Sequence, residues 1–213
     1  MKALLVMLAL ALAGCGSYST YRTTRIAKLG KTDWLFGAQA SGAAAVDGSV
    51  APMPEFAIAA RRAVHERIEV QGNATSLPIK QFRTGSFELA GKARVFEHGR
   101  WSVAVGAAAG YRIAESGGAI VEGVHVALPV IGGVDLGRHQ LVWSIVGGYQ
   151  KWYSSGARPV EVPFLGQSIG FLWQINDRWA LLPEAGSAYT TTRNFMTEET
   201  RLFHLGLAVV YSR

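Results

Sequence analysis

The groups able to do chemistry in this chain are five histidines, a mixture of basic and acidic side chains, and one thiol, Cys15. The histidines are dispersed and show no His-x-x-x-His or other metal-ligand spacing. His125 with Ser168, or His204 with Ser187, are the combinations an acyl-transfer site would use, yet no spacing supports either. His98 stands in His98-Gly99-Arg100, which reads as a solvated turn. No glycine-rich loop follows a strand and opens a helix, so no phosphate cradle is offered. With a single cysteine, an intrachain disulfide is excluded. The remaining ionisable groups fall on the polar faces of alternating segments: Arg61, Arg67, Glu69, Glu88, Lys92, Arg94, Arg112, Glu184 and His204. Opposite charges on a shared buried face pair with one another, because unpaired buried charge is expensive. The chemistry expected of this set is therefore an ion-pair network that braces the fold. A narrow polar pore or a small-ligand site is the functional alternative. No catalytic residue, metal or cofactor is expected.

The elements that must position these residues are strands. From Trp34 onward apolar residues recur with period two. The pattern predicts ten strands: Asp33–Val46, Glu55–Ala63, Arg67–Thr75, Thr84–Phe96, Trp101–Ala114, Ala119–Val134, Gln140–Tyr153, Val160–Ile175, Trp179–Thr190 and Thr200–Ser212. In Arg67–Thr75, Ile68, Val70, Gly72 and Ala74 oppose Arg67, Glu69, Gln71, Asn73 and Thr75. A pleated strand turns alternate residues to opposite faces, so each strand has one apolar face. The connections alternate as well. Tight, charged turns at 65–66, 97–100, 136–139 and 176–178 interleave with looser ones rich in Asp, Gly, Ser, Thr and Pro. This is an all-β, up-and-down antiparallel meander. Pro129 and Pro183 fall inside strands and predict bulges, and the outward parity of Glu122 predicts an irregularity in the sixth strand.

Three features predict which face is outside. Trp34, Trp101, Trp143, Trp173 and Trp179 sit near the tight-turn ends, with Phe96 and Tyr211. Tyr111, Tyr149, Tyr153, Tyr189 and Phe203 cluster toward the other ends. Two aromatic belts belong to the two water interfaces of a membrane barrel. The non-apolar faces of several strands are Gly, Ala and Ser, which suit a narrow lumen better than a solvated exterior. The strand count is even, so both ends of the barrel domain lie on one side. Composition agrees. Apolar residues make up 49% and charged residues 17%, with 25 glycines and a formal net charge of +6. Soluble domains carry about a quarter charged residues. The basic residues are scattered, which argues against a nucleic-acid partner. No apolar run past the N-terminus is long enough for a transmembrane helix. Ten strands leave a lumen that side chains can fill, so a wide channel is not expected.

The N-terminus adds an address. Lys2, the apolar run Ala3–Ala13 and the small residues before Cys15 make a secretory signal. Leu12-Ala13-Gly14-Cys15 resembles the bacterial lipobox, which implies that Cys15 is acylated and becomes the mature N-terminus. By the same resemblance Gly16, in place of Asp, implies sorting to the outer membrane. The division expected is a signal peptide at 1–14, a polar tether at 15–31 and a barrel at 32–213. The strand region is similar to small bacterial outer-membrane β-barrel proteins. That resemblance implies a transmembrane barrel of about ten strands, anchored by its lipid at the periplasmic face. The implied partners are outer-membrane lipid and the barrel-assembly and lipoprotein-sorting machinery. A structural, interaction or narrow-conduit role is expected. The alternatives are a lipid-tethered, soluble, lipocalin-like barrel that binds an apolar ligand, and an envelope lipid-modifying enzyme. The chain's end departs from the barrel C-terminal signature, with Tyr211 as the aromatic and Arg213 last.

Overall fold

A computed structural model describes residues 21–43, 53–79, 82–116, 119–156, 158–190 and 200–213. The signal and lipobox residues, including Cys15, lie outside the described residues, as do most of the looser connections. Ten strands are formed: β1 (Thr32–Ala43), β2 (Met53–His65), β3 (Ile68–Ile79), β4 (Phe82–His98), β5 (Trp101–Ser116), β6 (Ala119–Leu136), β7 (His139–Ser154), β8 (Val160–Gln174), β9 (Trp179–Thr190) and β10 (Thr200–Ser212). Each pairs antiparallel with its neighbours in sequence, and β1 pairs with β10, closing the barrel. Closure removes the sheet edges, which no spanning structure can leave open to lipid.

The tight turns follow from their sequences. Two-residue hairpin loops favour turns that need positive φ. Gly99 and Gly137 supply it, at 58° and 67°, in the β4–β5 and β6–β7 turns. The β8–β9 turn uses Asn176 instead. Its Oδ1 accepts from the backbone N–H of Arg178 (2.9 Å) and of Trp179 (3.0 Å), an Asx turn that shapes the backbone through a side chain.

The outer surface is apolar. Leu89, Leu128 and Leu205, at the middle of their strands, are 60%, 68% and 67% exposed. The soluble lipocalin-like alternative needs these residues inside, so their exposure overturns it. Trp34, Trp101, Trp143, Trp173 and Trp179 all point outward near the tight-turn end. There Trp101 meets Trp143 edge to face, and Trp179 lies 4.7 Å from Tyr211 between ring centroids. Tyr111, Tyr149, Tyr153, Tyr189 and Phe203 are exposed toward the loop end. An apolar band between two aromatic girdles is the pattern of a wall that faces lipid.

Two expectations about irregularities are corrected. Register shifts occur at Ala63/His65 and Arg94/Phe96, not at the prolines. The second shift places Val95 and Phe96 both on the outer face. Pro129 and Pro183 sit where a ladder skips two residues and resumes in the same register. The missing proline N–H therefore costs bonds on one side only, without an extra residue. Gly106 makes room for Pro129, since a Cβ there would lie 3.2 Å from the ring. Strand β6 keeps one register against β5 throughout. Glu122 faces outward at the loop end, where the Tyr111 hydroxyl hydrogen-bonds it.

Candidate functional site: a plugged polar lumen

The lumen side chains form ion pairs that strand register brings together. Asp33 and Arg61 are direct cross-strand partners, and their side chains meet at 3.0 Å. Glu69 and Lys92 are likewise opposite each other, at 2.9 Å. Toward the loop end, Arg112 reaches Glu55 at 2.9 Å, and Thr75 donates to the same Glu55 oxygen at 2.7 Å. Gln39 donates to the other oxygen at 2.5 Å. All of these charged groups are buried. In so dry a setting each charge is tolerable only with its partner and hydrogen bonds in place.

Two histidines complete the set through glycines. Glu88, Gly110 and His125 lie in one row across β4, β5 and β6. The His125 ring passes over Gly110, and its Nε2–H donates to Glu88 Oε2 at 3.0 Å. A Cβ on Gly110 would stand 2.4 Å from that ring. His204 crosses its own partner, Gly186, in the same way, and its Nε2 lies 3.1 Å from Glu184. Gly123 under Trp152 and Gly148 under Phe164 repeat the device with apolar rings. Glycine in a strand gives up side-chain packing, but it admits a large neighbour into a narrow space.

The lumen is also occupied by the chain itself. Residues 21–27 run inside the barrel, from its middle to the tight-turn rim. The Tyr21 ring fills the space above Gly37 and Gly206, and its hydroxyl donates to the Ala38 carbonyl at 3.0 Å. Arg22 meets Glu88 Oε1 at 2.7 Å. Thr23 and Thr24 have no solvent exposure. Thr24 shares a 2.6 Å hydrogen bond with Ser102 and accepts from Gln140 at 2.9 Å. Lys92 donates to the carbonyls of Thr23 and Arg25, and the Ala27 N–H donates to Glu69 at 2.8 Å. At the rim Arg25 pairs with Asp135 at 2.7 Å and donates to the carbonyls of Gly137, Arg138 and His139. With Arg61 also donating to the Thr23 hydroxyl at 3.3 Å, side chains from every strand from β2 to β7, together with the β6–β7 turn, grip the segment. Above it, Ala108, Ala127, Val146, Phe164, Ala188 and Leu202 pack into an apolar cluster that fills the lumen of β5–β10.

Of the nine lumen residues expected from sequence, Arg61, Glu69, Glu88, Lys92, Arg112, Glu184 and His204 are buried in the lumen. Arg67 is not. The turn that joins β2 and β3 takes Glu66 and Arg67, so Arg67 leaves the strand face and is exposed. Arg94 sits beside the register shift at half-buried depth and pairs with Glu97 at 3.3 Å, away from the network. Sequence reasoning missed Asp33, Glu55 and His125, although their parity in the strands is that of the inward face. It also missed Arg22 and Arg25, for which period two gives no signal. The His–Ser combinations are taken apart. Ser168 bonds Ser144 at 2.8 Å, and Ser187 lies on the opposite face of the sheet from His204's lumen side, near Gln167. Among the described residues no three His, Cys, Asp or Glu side chains cluster as metal ligands.

A closed antiparallel barrel, apolar outside and polar within, defines a transmembrane β-barrel of the bacterial outer-membrane class. No protein-family model and no curated protein matches the sequence. Solved structures do match in fold. An outer-membrane channel of Pseudomonas putida F1 aligns at 10% identity over 93% of this chain and 98% of that one, with a TM-score of 0.56. The outer-membrane protease OmpT of Escherichia coli aligns at 6% identity over 88% and 98%, with a TM-score of 0.47. Neisserial surface protein A aligns at 9% identity over 84% and 96%, with a TM-score of 0.42. At such identities the likeness is one of fold.

Proposed function

We propose that this protein is an outer-membrane lipoprotein whose barrel is a closed, membrane-embedded scaffold, kept shut by its own N-terminal segment. The observation that supports this reading is the insertion of residues 21–27 among buried partners, above all the Arg22–Glu88 pair. A lumen held by ion pairs below and an apolar cluster above has little room for solute. The Leu12–Cys15 motif supports acylation of Cys15, with delivery by lipoprotein-sorting machinery and insertion by barrel-assembly machinery. No reaction is assigned: among the described residues neither His125 nor His204 is hydrogen-bonded to a hydroxyl or thiol nucleophile, only to Glu88 and Glu184. Planar-bilayer recording on the purified full-length protein tests the closed state. The insertions are expected to give no steady ion conductance. A reproducible open conductance in the unaltered protein would refute the closed scaffold and favour a conduit.

A further inference from the structure

The tight-turn end of the barrel opens on the axis into a vestibule of about 830 Å³. Its floor is the rim end of the N-terminal segment, Arg25–Lys28. Four of the cations that line it come from three places: Lys28 and Lys31 from the segment before β1, Arg138 from the β6–β7 turn and Arg178 from the β8–β9 turn; Arg213 lines it as well. None of the four has a carboxylate partner among the described residues. The side-chain carboxylates that line it are Asp33, which is committed to Arg61, and Asp177. A concave site lined by one sign of charge focuses its field and concentrates the opposite ion. The volume falls in the range of small-ligand sites, roughly 300–1,000 Å³.

We propose that this vestibule binds a multivalent phosphate anion. A lone carboxylate or chloride would meet one or two of the four cations. A ligand with several anionic oxygens, spaced along its length, can engage cations that come from separate turns of one cavity. Arginine matches phosphate oxygens with two parallel donors, while lysine serves as a point charge. The phosphate has two possible sources, a soluble compound or the headgroup of an anionic lipid. Lys28, Lys31, Arg138 and Arg178 line the cavity, whereas Arg62, Arg67 and Arg100 do not.

The test uses full-length protein in non-ionic detergent, with inorganic tripolyphosphate as probe and isothermal titration calorimetry as readout. Saturable binding is expected, weakening as salt rises from roughly 50 to 300 mM. Combining Lys31→Gln, Arg138→Gln and Arg178→Gln is expected to weaken it by about tenfold or more. Combining Arg62→Gln, Arg67→Gln and Arg100→Gln is expected to leave it nearly unchanged. Heat-modifiable gel migration checks that both variants are folded. Repeating the titration in nanodiscs separates the sources. Loss of binding when phosphatidylglycerol replaces phosphatidylcholine means that headgroups fill the site. Undiminished binding means a soluble phosphate. Absence of saturable binding in the unaltered protein, or equal weakening by both sets of substitutions, would overturn the proposal.

Discussion

Glu88 divides its two oxygens between the N-terminal segment and the barrel wall: Oε1 takes Arg22 at 2.7 Å, and Oε2 takes His125 at 3.0 Å. One buried carboxylate thus ties the plug to β6 across β5. Glu88→Ala would leave a buried guanidinium without its counter-charge. Removing one member of a buried pair costs about 3–5 kcal/mol. The expected outcome is a clear drop in the urea midpoint of the barrel refolded in lipid vesicles. Arg22→Ala is expected to cost less, because Glu88 keeps His125. Equal midpoints for Glu88→Ala and the unaltered protein would show that the pair is not holding the plug.

The glycines under the histidines make a second, sharper test. A Cβ at Gly110 would lie 2.5 Å from the Phe87 carbonyl as well as against His125, and one at Gly186 would meet the Gln167 carbonyl at 2.5 Å. Backbone cannot swing aside as a side chain can. Gly110→Ala and Gly186→Ala are each expected to destabilise by about 1–3 kcal/mol, the usual cost of overpacking. Gly147 has nothing within 4 Å of a built Cβ, so Gly147→Ala is expected to be neutral within error in the same urea titration.

Lipid contact is read on the outer band. Leu128 and Leu205 stand mid-strand and are exposed. Arginine facing lipid near the bilayer midplane costs about 2–4 kcal/mol in such barrels. Leu205→Arg is expected to lower stability by that amount in vesicles. An arginine substituted at exposed Glu97, in the tight-turn region, is expected to cost far less. Equal effects at the two positions would argue against a membrane-spanning wall.

The proposed acylation of Cys15 is tested apart from the barrel. Mass spectrometry of the mature N-terminus is expected to find acyl chains on Cys15 and none after Cys15→Ala. Because the outer band is apolar regardless of the anchor, the Cys15→Ala protein is still expected to need detergent for extraction. Release into buffer as a folded, soluble protein would contradict the membrane barrel.

Much of this was legible in the sequence, for a definite reason. Period-two alternation and turn chemistry are local, so the ten strands and the outward tryptophans could be read directly. Pair identities are not local. That Asp33 faces Arg61, or that Glu69 faces Lys92, depends on register between strands, and a one-residue shift such as that at Arg94/Phe96 resets it. Arg67 fell outside its strand for a different reason, since the tight turn takes residues 66–67 and not 65–66. The N-terminal segment was the least legible part. Thr23 and Thr24 look like solvated tether residues, and only the enclosing barrel places them among the most buried polar residues described.

Whether residues 21–27 occupy the lumen can be read by cross-linking. The hydroxyls of Thr24 and Ser102 lie 2.6 Å apart, so Thr24→Cys with Ser102→Cys would bring two sulfurs close to disulfide distance, about 2.05 Å. Made in a Cys15→Ala background and oxidised in the membrane, this variant is expected to yield a linked pair of peptides spanning positions 24 and 102. Two free thiols at those positions, both open to maleimide in the folded barrel, would contradict a plugged lumen.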